Sequence, residues 1–287
     1  MQQPKISIVM PSFNQGIFID EAIRSVLSQD YPHKELIIID GGSTDTSMAS
    51  VARYECDLAY VVSEKDKGQS DALNKGFARA TGDLLTWVNS DDVLLPGALT
   101  KVAAQAERTS DHRKIWIAGG CLWIDPIGRI LRCTRARGWN KVVARSKTLG
   151  VFGPSSFFTR HMLERAGGID VNFDFMMDTH LWLQFAEFGY SYTRVHGYLW
   201  GLRCHPEAKT SGYRFPQSQM ASPKHPRRIA QELERLRLEQ HHGIGPALQR
   251  LGPVISKCDA LLSLSTYRGR LDTIRYHGMA WSTCTLP

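Results

Sequence analysis

None of the six cysteines, at positions 56, 121, 133, 204, 258 and 284, pairs with another in a C-x-x-C motif. That scatter argues against a zinc cluster or a disulfide framework and suits a reducing compartment. No uninterrupted apolar run approaches the ~18 residues of a membrane span. The start, MQQPKISIVMPSF, has no charged segment ahead of an apolar one, so it reads as a strand rather than a signal peptide. No G-x-G-x-x-G follows that first strand, and no G-x-x-x-x-G-K-[ST] occurs anywhere. Dinucleotide oxidoreductases and P-loop hydrolases are therefore set aside. Internal repeats and low-complexity tracts are also lacking.

What remains is an ordinary globular composition: 287 residues, 43% hydrophobic and 22% charged. The net charge of +7 is uneven, because ten Lys/Arg stand against five Asp/Glu from Lys224 onward. A basic tail on a near-neutral body suits an acidic partner, a membrane surface, nucleic acid or polyphosphate, or else a solvated basic helix. Within the tail, PRRIAQELERLRLEQHH puts Ile229, Leu233 and Leu236 on one helical face. His241 and His242 read as surface residues.

The first 120 residues alternate short apolar runs with segments of helical periodicity. KISIVMP, KELIIID, LAYVVS, DLLTWVN and KIWIAGG read as strands. FIDEAIRSVLSQ, TDTSMASVARY, SDALNKGFARA and PGALTKVAAQAER read as helices. This order predicts an α/β fold with a mostly parallel sheet covered by helices on both faces. After Gly120 the pattern changes to a hairpin around Asp125–Gly128, two short helices and a strand, and helices resume beyond about Gly212. Three parts are expected: 1–120, 121–212 and a basic helical extension, 213–287. Trp182, Phe185 and Phe188 read as core.

Ligands of open α/β sheets lie beyond the carboxyl ends of the strands. Four consecutive strands deliver polar residues there: Pro11-Ser12-Phe13-Asn14, Asp40, Glu64-Lys65-Asp66 and Asn89-Ser90-Asp91-Asp92. Adjacent carboxylates repel, and burial makes the repulsion worse. A hard divalent cation, Mn2+ or Mg2+, would offset the charge and hold the phosphates that the missing glycine loop cannot cradle.

The segments VMPSFNQGIFIDEAIRSVLSQDYPHKELIIIDGGSTDTS, DKGQSDALNKGFARATGDLLTWVNSDD and FDFMMDTHLWLQFAEFG resemble the family 2 inverting glycosyltransferases, which have the A-type glycosyltransferase fold, a Rossmann-like sheet fused to an acceptor-binding part. The resemblance covers roughly residues 5 to 205. It implies that Pro11, Ser12 and Asn14 line the base and ribose and that Asp40 contacts the base. Asp66, Asp71 and Lys75 lie beside nucleotide and sugar, with Asn89 and Ser90 in the D-x-D position. The first carboxylate of that motif is replaced by Asn89, leaving Asp91 as the metal ligand with Asp92 beside it and His205 as a further candidate. Asp178 matches the catalytic base, and Ser155, Ser156 and Phe157 match an acceptor-lining stretch.

Each assignment has a plainer alternative. Asp178 suits a helix N-cap. Asp40 suits a turn, Asp71 a first-turn helix acid, Lys75 an i,i+4 partner of Asp71, and His205 a structural histidine. The expected activity is transfer of a sugar from a nucleotide-diphosphate sugar to a glycan or lipid-linked acceptor in surface polysaccharide assembly. The expected place is the cytoplasm, with the basic tail on the inner membrane face; packing on the body or a homodimer is the alternative. Nucleic acid is not an expected partner. A nucleotidyltransferase or a silent nucleotide-sugar-binding module are the competing functions, and Asn89 gives the latter weight.

Overall fold

The computed structural model describes residues 3–139, 153–209, 225–245, 254 and 265–283. Among these residues nine strands form one sheet: β1 (Ile6–Ser12), β2 (Lys34–Asp40), β3 (Tyr60–Ser63), β4 (Leu84–Trp87), β5 (Val93–Leu94), β6 (Trp116–Ile124), β7 (Ile130–Thr134), β8 (Ser156–Thr159) and β9 (Thr193–Arg203). Their order is β3-β2-β1-β4-β8-β6-β9-β5, with β7 paired to β6. The ladders β3–β2, β2–β1 and β1–β4 are parallel, as the strand–helix alternation requires. Beyond β4 the sheet turns mixed: β8 runs antiparallel to both β4 and β6, while β6 and β9 are parallel. The change coincides with the change in sequence pattern after Gly120. Strand β8, SFFT, is too short to stand out from the acceptor-like stretch that contains it.

Helices cover both faces. On one side lie α1 (Ile19–Leu27), α2 (Ser47–Val51) and α4 (Ala98–Glu107), whose Ile19, Ile23, Val26, Leu99 and Val102 pack on Ile6, Ile8 and Met10. On the other lie α3 (Gln69–Arg79), α5 (Arg160–Ala166) and α6 (Met177–Glu187). There Leu73, Phe77, Met162, Trp182 and Phe185 meet Val9 and Trp87. Trp182 stacks between Trp87 and Trp116, with ring centroids 5.8 and 5.2 Å away. Burying such aromatic surface is the main favourable term in folding. Gly76 on α3 permits the close approach of that helix to β1, since a Cβ there would lie 2.3 Å from Val9 Cγ1.

The register aligns Ser12 with Asp40 and Asp40 with Ser63. The carboxyl ends of β1, β2 and β3 therefore form one edge. Two described helices of the tail, α7 (Pro226–His241) and α8 (Ser265–Tyr276), dock back on the body. Leu238 of α7 is fully buried in the core against α6. Helix α8 packs on β7, where Arg135 pairs with Asp272 at 2.7 Å and Thr273 Oγ1 accepts from Cys133 N. Packing on the body, one alternative for the tail, thus describes part of it. The expected boundary near 212–213 lies outside the described residues. Among the described residues no helix is long and apolar enough to cross a membrane.

Candidate active site

The sequence posed the question of what offsets two adjacent carboxylates. The structure turns them in different directions. Asp91 is partly exposed, and its Oδ2 lies 3.1 Å from His205 Nε2. Asp92 is buried: its Oδ1 accepts the Arg203 backbone N–H at 2.9 Å, and its Oδ2 accepts from Asn89 Nδ2 at 2.8 Å. Burial and the neighbouring Asp91 charge push the Asp92 carboxyl well above the usual carboxylate range, against the Arg203 N–H, the Asn89 amide and the Arg203 guanidinium. The expectation that Asp92 is a metal ligand is corrected here. Its oxygens are turned inward and engaged.

The cation that accompanies Asp92 is Arg203, itself fully buried. Its guanidinium donates to the carbonyls of Asp91, Asp125 and Pro126 and to Glu21 Oε2, the last at 2.6 Å. The Phe18 ring lies 5.1 Å below it and 4.8 Å from the His205 ring. Glu21 also accepts from Trp281 Nε1 at 2.9 Å, so the end of the described chain braces this corner. The sequence signal for Arg203 is faint: an arginine at the end of an apolar strand, two residues before His205.

Asn89 now has a physical reason. Its amide donates to Asp92 while its Oδ1 accepts from Gln69 Nε2 at 2.6 Å. A carboxylate at position 89 would face the Asp92 oxygen instead and repel it. The departure from D-x-D thus places an amide donor beside the buried acid. Ser90 is buried in the same turn. From Gln69 the network continues to Lys209, whose Nζ donates to Gln69 Oε1 at 3.1 Å and to Asp174 at 2.6 Å.

Lys209 leads to Asp178, in the first turn of α6. The N-cap is Met176, so the cap alternative for Asp178 does not hold. Asp178 Oδ1 accepts from Thr179 N at 2.6 Å. Burial raises its pKa, opposed by the Thr179 N–H and hydroxyl, the Lys209 charge and the Gly153 N–H. The start of α6 is held from outside by Glu234 of α7, whose carboxylate accepts from the backbone N–H groups of Asp174, Phe175 and Met176 at 2.7–3.1 Å. An anion suits a helix N-terminus. Neither Lys209 nor Glu234 was singled out from sequence, because both lie outside the matched segments.

The remaining candidates divide. Pro11 and Ser12 are buried at the end of β1, and Ser12 Oγ has no hydrogen-bond partner among the described residues. An orphaned buried hydroxyl at a strand end is a place for a ligand atom. Asn14 adopts φ +52° and binds the β2 loop through Ser43 Oγ and Thr44 N. Asp40 is fully buried, accepting from Gly42 N, Ser43 N and both the Ser43 and Ser63 hydroxyls. A direct base contact through Asp40 is corrected to loop shaping, since its side chain is fully buried beneath that loop. Asp66 accepts from Gly68 N at 2.8 Å, and its Oδ2 would lie 2.8 Å from a Cβ at Gly41. Asp71 accepts from Lys67 N. Lys75 pairs with Glu64 at 2.8 Å and Asp71 at 3.5 Å, the local alternative. Ser155 and Ser156 are buried, with no hydrogen-bond partner for Ser156 Oγ among the described residues. Phe157 is corrected from acceptor lining to core, because it packs in the cluster with Ile8, Val88 and Leu199.

A model described as glycosyl transferase family 2 matches residues 7–150. A Campylobacter jejuni GalNAc(5)-diNAcBac-PP-undecaprenol beta-1,3-glucosyltransferase is 30% identical over 142 residues, 48% of this chain and 44% of that protein. The chain thus spans less than half the length of that relative. An uncharacterized glycosyltransferase of Mycobacterium tuberculosis is 30% identical over 188 residues, 64% of this chain and 69% of the relative. A solved mannosyltransferase from Pyrobaculum calidifontis, in complex with GDP-Man and Mn2+, shares the fold. Its TM-score is 0.53 at 17% identity, over 95% of this chain and 81% of that one.

Proposed function

Because the chain belongs to glycosyl transferase family 2, we propose that it is a metal-dependent, inverting glycosyltransferase. Its donor is a nucleotide-diphosphate sugar and its acceptor a glycan or lipid-linked glycan in surface polysaccharide assembly. The observation that carries this reading is the Asp91–His205 pair at 3.1 Å; beside it Asn89, Gln69 and Lys209 are hydrogen-bonded in series, and the Lys209 charge acts on the acid Asp178. One carboxylate and one imidazole suit Mn2+ better than Mg2+, which takes oxygen ligands. When bound, the ion would neutralise charge on the leaving diphosphate. Ser12 and Asn14 bind the nucleotide end, with Asp40 and Asp66 shaping its walls. Asp178 takes the proton from the acceptor hydroxyl, which frees that oxygen to attack the anomeric carbon opposite the leaving group. This pairing is supported by one relative whose name carries a PP-undecaprenol-linked glycan and by a solved structure of the same fold that holds GDP-Man and Mn2+.

Calorimetry tests the proposed metal site. Asp91→Asn should weaken Mn2+-dependent binding of a nucleotide diphosphate at least ~10-fold, as loss of a metal-site group does. Unchanged binding would place the ion elsewhere.

Contact with the cytoplasmic membrane face has its own support. Ile229, Leu233 and Leu236 of α7 are 50%, 60% and 48% exposed, beside Arg227 and Arg237. Basic side chains near an anionic surface contribute about 1 kcal/mol each. Leu233→Asp should abolish co-sedimentation with phosphatidylserine vesicles. A wild-type protein that does not sediment, but shows a Leu233-dependent dimer by light scattering, would assign the face to a second copy.

A further inference from the structure

His241 and His242, read from sequence as surface residues, meet His180 of α6 where α7 ends against it. The three rings form a near-equilateral triangle, with centroids 4.9–5.0 Å apart. One ligating nitrogen from each lies within 4.8 Å of the others. Three imidazoles at ~2.0–2.1 Å around a tetrahedral ion would hold their ring centres about 5 Å apart. We propose that His180, His241 and His242 form a binding site for a borderline divalent transition-metal ion of the Zn2+ class, separate from the Asp91–His205 rim.

The outer nitrogens support this assignment. His242 Nδ1 lies 2.7 Å from Glu187 Oε1, and His180 Nε2 lies 3.8 Å from Asp170 Oδ2. A carboxylate behind a ring nitrogen favours a proton there and leaves the other nitrogen as the ligand. The two inner nitrogens, His180 Nδ1 and His242 Nε2, then face each other at 2.9 Å. Two lone pairs at that distance repel unless a cation or a shared proton lies between them. Burial and the other two imidazoles depress His180 to about 4, so it is uncharged at neutral pH and suited to coordination. Phe173 stacks on its ring at 4.5 Å and fixes its orientation. Ring His241 is exposed, which gives an ion a way in. Neutral imidazole is the ligand such ions favour.

The position gives the site a consequence. His180 stands two residues after Asp178 on α6, and the same α7 helix supplies Glu234 to the start of α6. A bound ion would fasten the far end of the α6–α7 contact while Glu234 holds the near end. The site would therefore set how firmly the tail clamps the helix that carries the proposed base.

The test uses the full chain carrying Asp91→Asn, stripped with EDTA and titrated with ZnCl2, so that the rim does not contribute. One equivalent should bind and raise the melting temperature by about 5 °C at saturating excess. Adding His241→Ala or His242→Ala should weaken binding at least ~10-fold and remove the thermal shift. His241→Ala changes an exposed side chain, and its metal-free melting curve checks the fold. CoCl2 added to the Asp91→Asn protein should give visible absorption bands of a nitrogen-rich site, independently of any histidine variant. Absence of Zn2+ binding, or equal binding in both histidine variants, would overturn the proposal and leave a shared proton between His180 and His242.

Discussion

Asp178→Asn is expected to lower sugar transfer by about 10²–10⁴-fold, or roughly 3–5 kcal/mol of barrier, while donor binding is kept. Asparagine retains the Oδ1 that accepts from Thr179 N, so the first turn of α6 stays formed. Only proton acceptance is lost. Burial raises the Asp178 pKa. A base must be deprotonated to act, so the acidic limb of the rate profile should lie above the ordinary carboxylate value of about 3.9. Lys209 opposes that rise, and Lys209→Met should therefore move the limb further to alkaline pH. Steady-state kinetics with product NMR is the measurement. Retained anomeric configuration, or full activity of Asp178→Asn, would remove Asp178 from the role of base in an inverting displacement.

Arg203→Met should be the most destabilising single change at the site, by about 3–5 kcal/mol at neutral pH. The Met side chain keeps the backbone N–H to Asp92 but removes the guanidinium. Three carbonyl acceptors and Glu21 lose their donor, and Asp92 loses a buried neighbouring cation. The sign with pH is fixed. Asp92 already has a raised folded-state pKa, so its ionisation costs folded stability as pH rises above its unfolded value. Without Arg203 the folded pKa rises further. The deficit of the variant should therefore grow from pH 5 to pH 8 in urea unfolding. A deficit independent of pH would show that the lost hydrogen bonds, not the charge, dominate.

The parallel half of the sheet was legible because buried strands are continuous apolar runs and their helices keep a 3.6-residue period. The mixed half was less so. Strand β8 spans four residues and β5 two, lengths at which periodicity carries little information. The site was legible at the same level: the polar strand ends at Ser12, Asp40, Asp66 and Asn89–Asp92 do lie along strand ends on one side of the sheet. Which of them turn outward was not legible. Asp40 and Asp92 face inward because nearby N–H groups receive them, whereas Asp91 keeps an exposed oxygen beside His205. The partners of Asp92 include a backbone N–H 111 residues away, and those of the α6 start a carboxylate 58–60 residues away.

The sequence by itself determined the family, the strand–helix order and the type of residue at each strand end, since these follow from local pattern and chemical class. The tertiary structure alone decided which acid meets water, which meets a guanidinium and which histidines meet each other. Burial and counter-charge are set by segments that come together only when the chain is folded.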